Sequence, residues 1–171
     1  FKSLLFLSAG AVVHSTHTRQ LDRMGGLAKT MPWTAAGFFA GAVAICGLPP
    51  LNGFVSEWFV YLGLLSRATA PGTGVSAAII GVPALAMIGA LAVACFVKVY
   101  GTVFLGEPRT RAAARAREAP FAMRLPMAVL AACCVLIGVA PALAAPVLDA
   151  CAACWLHAPD GLPPARLGTL A

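Results

Sequence analysis

Gly47-Leu48-Pro49-Pro50-Leu51-Asn52-Gly53-Phe54-Val55-Ser56-Glu57 is the stretch that decides the fold. It stands in the middle of one apolar run, residues 33–66. A continuous helix of that length would measure about 50 Å, well beyond the ~30 Å hydrocarbon core of a bilayer. Two full crossings would need about 40 residues plus a turn. Two successive prolines remove two backbone donors and push Leu48 and Pro49 out of the helical region. The simplest reading is one crossing built from two half-helices and broken over 48–53, with Pro49, Pro50, Asn52 and Gly53 forming the break. Irregular backbone at membrane depth is tolerated only where it is buried in protein or lines a wet cavity. A break of this kind therefore implies a site.

Working outward, three further apolar runs appear: 1–16, 75–105 and 121–145. The first is too short for a full span and reads as the end of one, so the sequence is expected to be a piece of a longer protein. Hydrophobic residues make up 60% of the 171-residue chain and charged residues 11%, against about 25% charged in a soluble domain. The mean hydropathy is +0.88. The expected fold class is an all-α membrane protein, a transmembrane helix bundle with one discontinuous helix. Residues 1–145 form the membrane domain and 146–171 a Pro- and Ala-rich tail.

The charge balance of +6 raises the possibility of a nucleic-acid partner. The basic residues instead sit between the apolar runs, which excludes nucleic acid and points to a topology signal. With a single crossing over 33–66, loops 14–32 and 106–124 share a side and carry three and five Lys/Arg; the opposite side carries Arg67 and Arg166. By the positive-inside rule both basic loops are expected to be cytoplasmic, in a bacterial inner membrane. Cys151-Ala-Ala-Cys154 has CxxC spacing, but no second pair or histidine set completes a zinc site. No phosphate loop, nucleotide fingerprint, nucleophile elbow or haem motif is present, so neither a cofactor nor catalysis by this chain itself is expected.

Three ionisable residues lie inside apolar runs: Lys2, Glu57 and Lys98. Such groups are costly in a bilayer and normally face protein or water. Glu57 is the sharpest, because it follows the break at the start of the second half-helix. There the helix dipole favours the carboxylate while burial opposes it. As alternatives, Glu57 could simply cap free amides with Ser56 assisting, and Lys2 and Lys98 could snorkel to the interface. His14 and His17 end the first run. A histidine can pass a proton between water and a buried chain, and no third ligand supports a metal role.

These stretches resemble a known family. Phe1-Lys2-Ser3-Leu4-Leu5-Phe6-Leu7-Ser8-Ala9-Gly10-Ala11-Val12-Val13-His14 is similar to a lysine-bearing helix of the antiporter-like proton-conducting membrane subunits. These are the large membrane subunits of respiratory complex I, Mrp-type antiporters and membrane-bound hydrogenases. Leu21 to Leu27, with its Met-Gly-Gly-Leu, resembles the loop that follows, and Leu48 to Glu57 resembles the broken helix. Ala94 to Lys98 with Phe104-Leu105-Gly106 is similar to the hydrogenase-4 and formate hydrogenlyase branch of that family. The resemblance implies the second half of an inverted-repeat transporter fold. It also implies a proton pathway through Lys2 and Glu57, with His14 and Lys98 contributing. The implied partners are other membrane and peripheral subunits of a redox complex, together with membrane lipid. An Mrp-type cation/proton antiporter subunit and a non-conducting assembly piece are the alternatives.

Overall fold

The computed structural model describes residues 1–68, 77–143, 146–147 and 150–151. The side chain of Arg67, Cys154, Arg166 and most of the expected tail lie outside the described residues. Among the described residues, seven α-helices run in the order α1 (Lys2–Thr16), α2 (Leu27–Thr30), α3 (Pro32–Ile45), α4 (Asn52–Ala68), α5 (Ala77–Val103), α6 (Arg111–Ala114) and α7 (Phe121–Val139). Within the expected run 33–66 the chain leaves helix at Ile45 and re-enters it at Asn52. The run 121–145 stops being α-helical at Val139, because Pro141 disfavours helical backbone at Ala140.

Two of the described helices are long and apolar enough to cross a membrane, Ile79–Val103 and Phe121–Val139. The core helix of a soluble protein is mostly buried. Here the most apolar windows of these two helices are 0% and 11% buried. Ile80, Val97 and Phe121 are each about two-thirds exposed. Surfaces this apolar need lipid or other helices around them.

Helix α3 is the hub. It runs antiparallel to α1, with Gly41 under Leu5 and Gly37 under Ser8. Gly37 also meets Met127 of α7. On its other side Phe38 packs against Phe96, Tyr100 and Phe104 at the end of α5, at ring separations of 6.4, 6.5 and 5.2 Å. Helix α4 takes up the same partners further along. Leu64 packs on Gly81 near the start of α5, and the segment before α4 lies against Gly138 near the end of α7. Along α5, then, α3 and α4 occupy successive places in antiparallel order. Along α7 they follow one another in parallel.

The two basic loops meet at one end of this bundle. Gly26 N donates to Leu105 O and Ala28 N to Phe104 O, both at 2.9 Å. The Thr110 hydroxyl donates to Arg23 O at 2.8 Å. The Ser15 hydroxyl donates to Arg117 O and accepts from Arg117 N, each at 2.9 Å. Beneath these bonds Met24, Leu27, Met31, Val103, Phe104 and Ala113 form a buried cluster. Gly26 holds a positive φ of 66°, and a side chain there would press on Pro108. That combination requires glycine.

The start of α3 is capped from a distant part of the chain. Pro32 occupies its first turn, and Met31 offers no side-chain cap. The Glu118 carboxylate instead accepts from Trp33 N at 2.8 Å and from the Thr34 hydroxyl at 2.6 Å. An anion at a helix N-terminus satisfies free amides and complements the dipole. Glu118→Ala is expected to destabilise the chain by about 1–3 kcal/mol, and Glu118→Gln by less. Thermal unfolding of the purified protein checks the order.

Candidate functional site

The non-helical segment 46–51 is a compact crossover. Cys46 N donates to Ala42 O, Gly47 N to Ala44 O and Leu48 N to Val43 O, at 3.1–3.2 Å. The last carbonyls of α3 are thus folded back on and satisfied. Gly47 sits at φ 64°, a conformation that turns the chain out of the helix at no steric penalty. Leu51 is buried with Ala44 and Cys134, and Phe1 packs against them. Pro49 and Pro50 stand exposed. Gly53 lies against the Ala44 carbonyl, so the start of α4 is seated on the last turn of α3.

Glu57 reaches back across this crossover. Its carboxylate lies against Gly47, in the space that a side chain at that position would take. The Ser56 hydroxyl donates to Gly53 O at 2.8 Å, so it bonds its own helix and does not assist Glu57. Asn52 Oδ1 is buried and accepts no hydrogen bond, leaving one free acceptor at the same level. Cys46 lies within electrostatic reach of both Glu57 and Cys95 of α5. No pattern in the sequence linked these two cysteines to the site.

Lys2 opens α1 directly after Phe1. Phe1 belongs to the cluster with Ala44 and Leu51, so Lys2 stands at the depth of the crossover. Its side chain is exposed on this chain, whereas Glu57 is half-buried. No hydrogen bond or ion pair joins the two among the described residues. Lys98 lies on α5, one turn beyond Cys95, and is also exposed. Its carbonyl accepts from the Thr102 hydroxyl at 2.9 Å.

His14 is elsewhere. It lies twelve positions after Lys2 along α1, about 18 Å away in a helix. With His17, Arg115, Arg117 and Glu118 it lines a pocket of about 310 Å³ between the loops. The two imidazoles meet edge-on at 6.5 Å. The structure therefore gathers Lys2, Glu57 and the break at one level and places His14 at the loop end. No cluster of three or more metal-ligating side chains occurs among the described residues.

Comparison with known proteins finds chains similar to this one. Residues 1–81 match the family described as "NADH:quinone oxidoreductase/Mrp antiporter, TM". The chain is similar to two proteins of Escherichia coli (strain K12). It is 44% identical to hydrogenase-4 component B over 170 residues and 43% identical to formate hydrogenlyase subunit 3 over 152 residues. These matches cover 99% and 88% of this chain and 25% of each relative. The chain thus spans about a quarter of the length of the curated relatives it matches. The solved Mrp complex from Dietzia sp. DQ12-45-1b shares the fold. Its TM-score is 0.69 at 22% identity, over 83% of this chain and 33% of that one.

Proposed function

We propose that this chain, whose residues 1–81 match the NADH:quinone oxidoreductase/Mrp antiporter membrane family, conducts protons through Lys2 and Glu57. The larger protein would serve a complex of the hydrogenase-4 or formate hydrogenlyase type, as the names of its relatives suggest. The observation that carries this reading is the Glu57 carboxylate folded against Gly47, in a crossover whose own amides are already bonded. A capping acid would be bonded to amides. Glu57 is left free to exchange a proton.

In this reading α3 and α4 are two halves of one crossing. Their successive seats on α5 support it: Phe38 against Phe96 to Phe104, then Leu64 against Gly81. Two half-helices meeting at mid-depth supply irregular backbone and a polar lining. The packed basic loops are cytoplasmic, since they hold most of the arginines and lysines.

The proton step follows from the two charges. Lys2 as ammonium and Glu57 as carboxylate make a charged state. Transfer of one proton through intervening water makes both neutral. A charge arriving from a neighbouring subunit then shifts the balance. His14, at the loop end, exchanges the proton with water. Lys98, exposed on α5 one turn beyond Cys95, is the residue that passes the charge onward.

Inverted vesicles carrying the full-length subunit in its complex, energised by hydrogen or formate oxidation, test the proposal. Lys2→Met is expected to lower proton uptake about tenfold. That is less than an enclosed proton donor contributes, because Lys2 is exposed on this chain. Unchanged uptake would remove Lys2 from the path. The second reading, a cation/proton antiporter subunit, takes its support from the Mrp branch of the same family. Proton release that depends on added sodium or potassium would favour it.

A further inference from the structure

A groove of about 580 Å³ opens on the outer face between α3 and α7, on the side away from α5. Its floor is made of small residues, Gly37, Ala128 and Ala131, and Trp33 and Phe121 stand at its loop-side end. Both aromatics are about two-thirds exposed, and tryptophan is one of the residues enriched at a membrane surface. Arg124, in the first turn of α7, lines the groove at the same end. Its Nε is buried without a hydrogen-bond partner. Glu118, the nearest acid in sequence, is already held by Trp33 N and the Thr34 hydroxyl. The terminal guanidinium nitrogens are not buried and make no hydrogen bond or ion pair among the described residues, so the charge that lines the groove has no protein partner.

We infer that the α3–α7 groove binds one anionic phospholipid, with an acyl chain on the Gly37–Ala128 floor and the phosphate on Arg124. The groove volume falls within the ~300–1,000 Å³ of small-molecule sites. A methylene chain fits a narrow floor of small side chains and carries no backbone amides that need partners. The phosphate takes the terminal guanidinium nitrogens of Arg124, which are not buried and have no protein partner among the described residues, at the membrane-surface end of the groove. The arginines of the adjoining loops favour an anionic headgroup over a zwitterionic one. None of this depends on the proton path through Lys2 and Glu57.

The test uses the full-length protein in nanodiscs of equal phosphatidylglycerol and phosphatidylcholine, followed by detergent extraction and native mass spectrometry. Wild type is expected to retain phosphatidylglycerol about tenfold over phosphatidylcholine. Arg124→Gln is expected to bring the ratio close to one, and Arg124→Lys to keep most of it. Ala128→Phe fills the floor and is expected to release both lipids while leaving the melting temperature near wild type. Equal retention by wild type, or a ratio unchanged in Arg124→Gln, overturns the inference. So does an Ala128→Cys variant that cross-links to another protein segment in native membranes while no lipid is retained.

Discussion

Glu57→Gln, introduced into the full-length subunit within its complex, is expected to reduce proton uptake by about a hundredfold or more. Glutamine has nearly the same shape, so the contact with Gly47 is kept. No hydrogen bond or ion pair of the carboxylate is lost among the described residues. What disappears is the ability to take and release a proton. Assembly and electron transfer are expected to continue, because nothing in the packing of α3, α4 and α7 depends on the charge. Proton uptake is read from fluorescence quenching in inverted vesicles, and assembly from the amount of complex in the membrane. Wild-type uptake with normal assembly would end the assignment of Glu57 as the proton carrier. Loss of assembly would show that the carboxylate holds the crossover together.

The second large effect is on stability. In Gly53→Ala the added methyl would coincide with the carbonyl of Ala44, whose carbon lies only 2.7 Å from the new Cβ position. That carbonyl belongs to the last turn of α3 and accepts from Gly47 N at 3.2 Å. A flexible side chain could move aside, but a bonded backbone group cannot. Overpacking costs about 1–3 kcal/mol where neighbours yield, and the expected loss here is at the top of that range or beyond. Gly63→Ala is the control. It lies in the same helix with nothing within 4 Å of the added atom, and helix propensity favours alanine there by about 1 kcal/mol. The two variants are expected to melt on opposite sides of wild type. A Gly53→Ala protein as stable as Gly63→Ala would mean that α4 is not seated on α3.

Much of this was legible in the sequence, for local reasons. Pro49-Pro50 between Gly47 and Gly53 interrupts any helix through its own covalent chemistry, and the observed helices end at Ile45 and begin at Asn52. The arginines and lysines of 14–32 and 106–124 point to a shared side for those loops, and the structure bonds the two loops to each other. Lys2 and Glu57 stood out because charge is rare in apolar runs. The rest depends on tertiary placement. Glu118 caps α3 from 85 residues away, and no local pattern links an acid in an arginine-rich loop to a proline-started helix. Nothing in the sequence marks Cys46, which the fold brings near both Glu57 and Cys95 of α5. Arg124 read as one more loop cation, whereas it belongs to the first turn of α7 and lines a groove.

The unbroken course of α5 has one more consequence. It is a single helix of 27 residues, and α3 and α4 are fastened to it at two separate points, near Phe96 and near Gly81. The distance between those points is thereby fixed like marks on a ruler. One residue inserted between Gly81 and Phe96 would move the marks apart by about 1.5 Å and turn one against the other by about 100°. Neither α3 nor α4 can stretch to follow, since each is internally hydrogen-bonded. Only the six residues from Cys46 to Leu51 between them are not helical, and Gly47 among them lies against the Glu57 carboxylate. Length changes in α5 are therefore felt first at the Glu57 carboxylate, so the spacing of a helix that contributes few polar groups is tied to the geometry of the crossover.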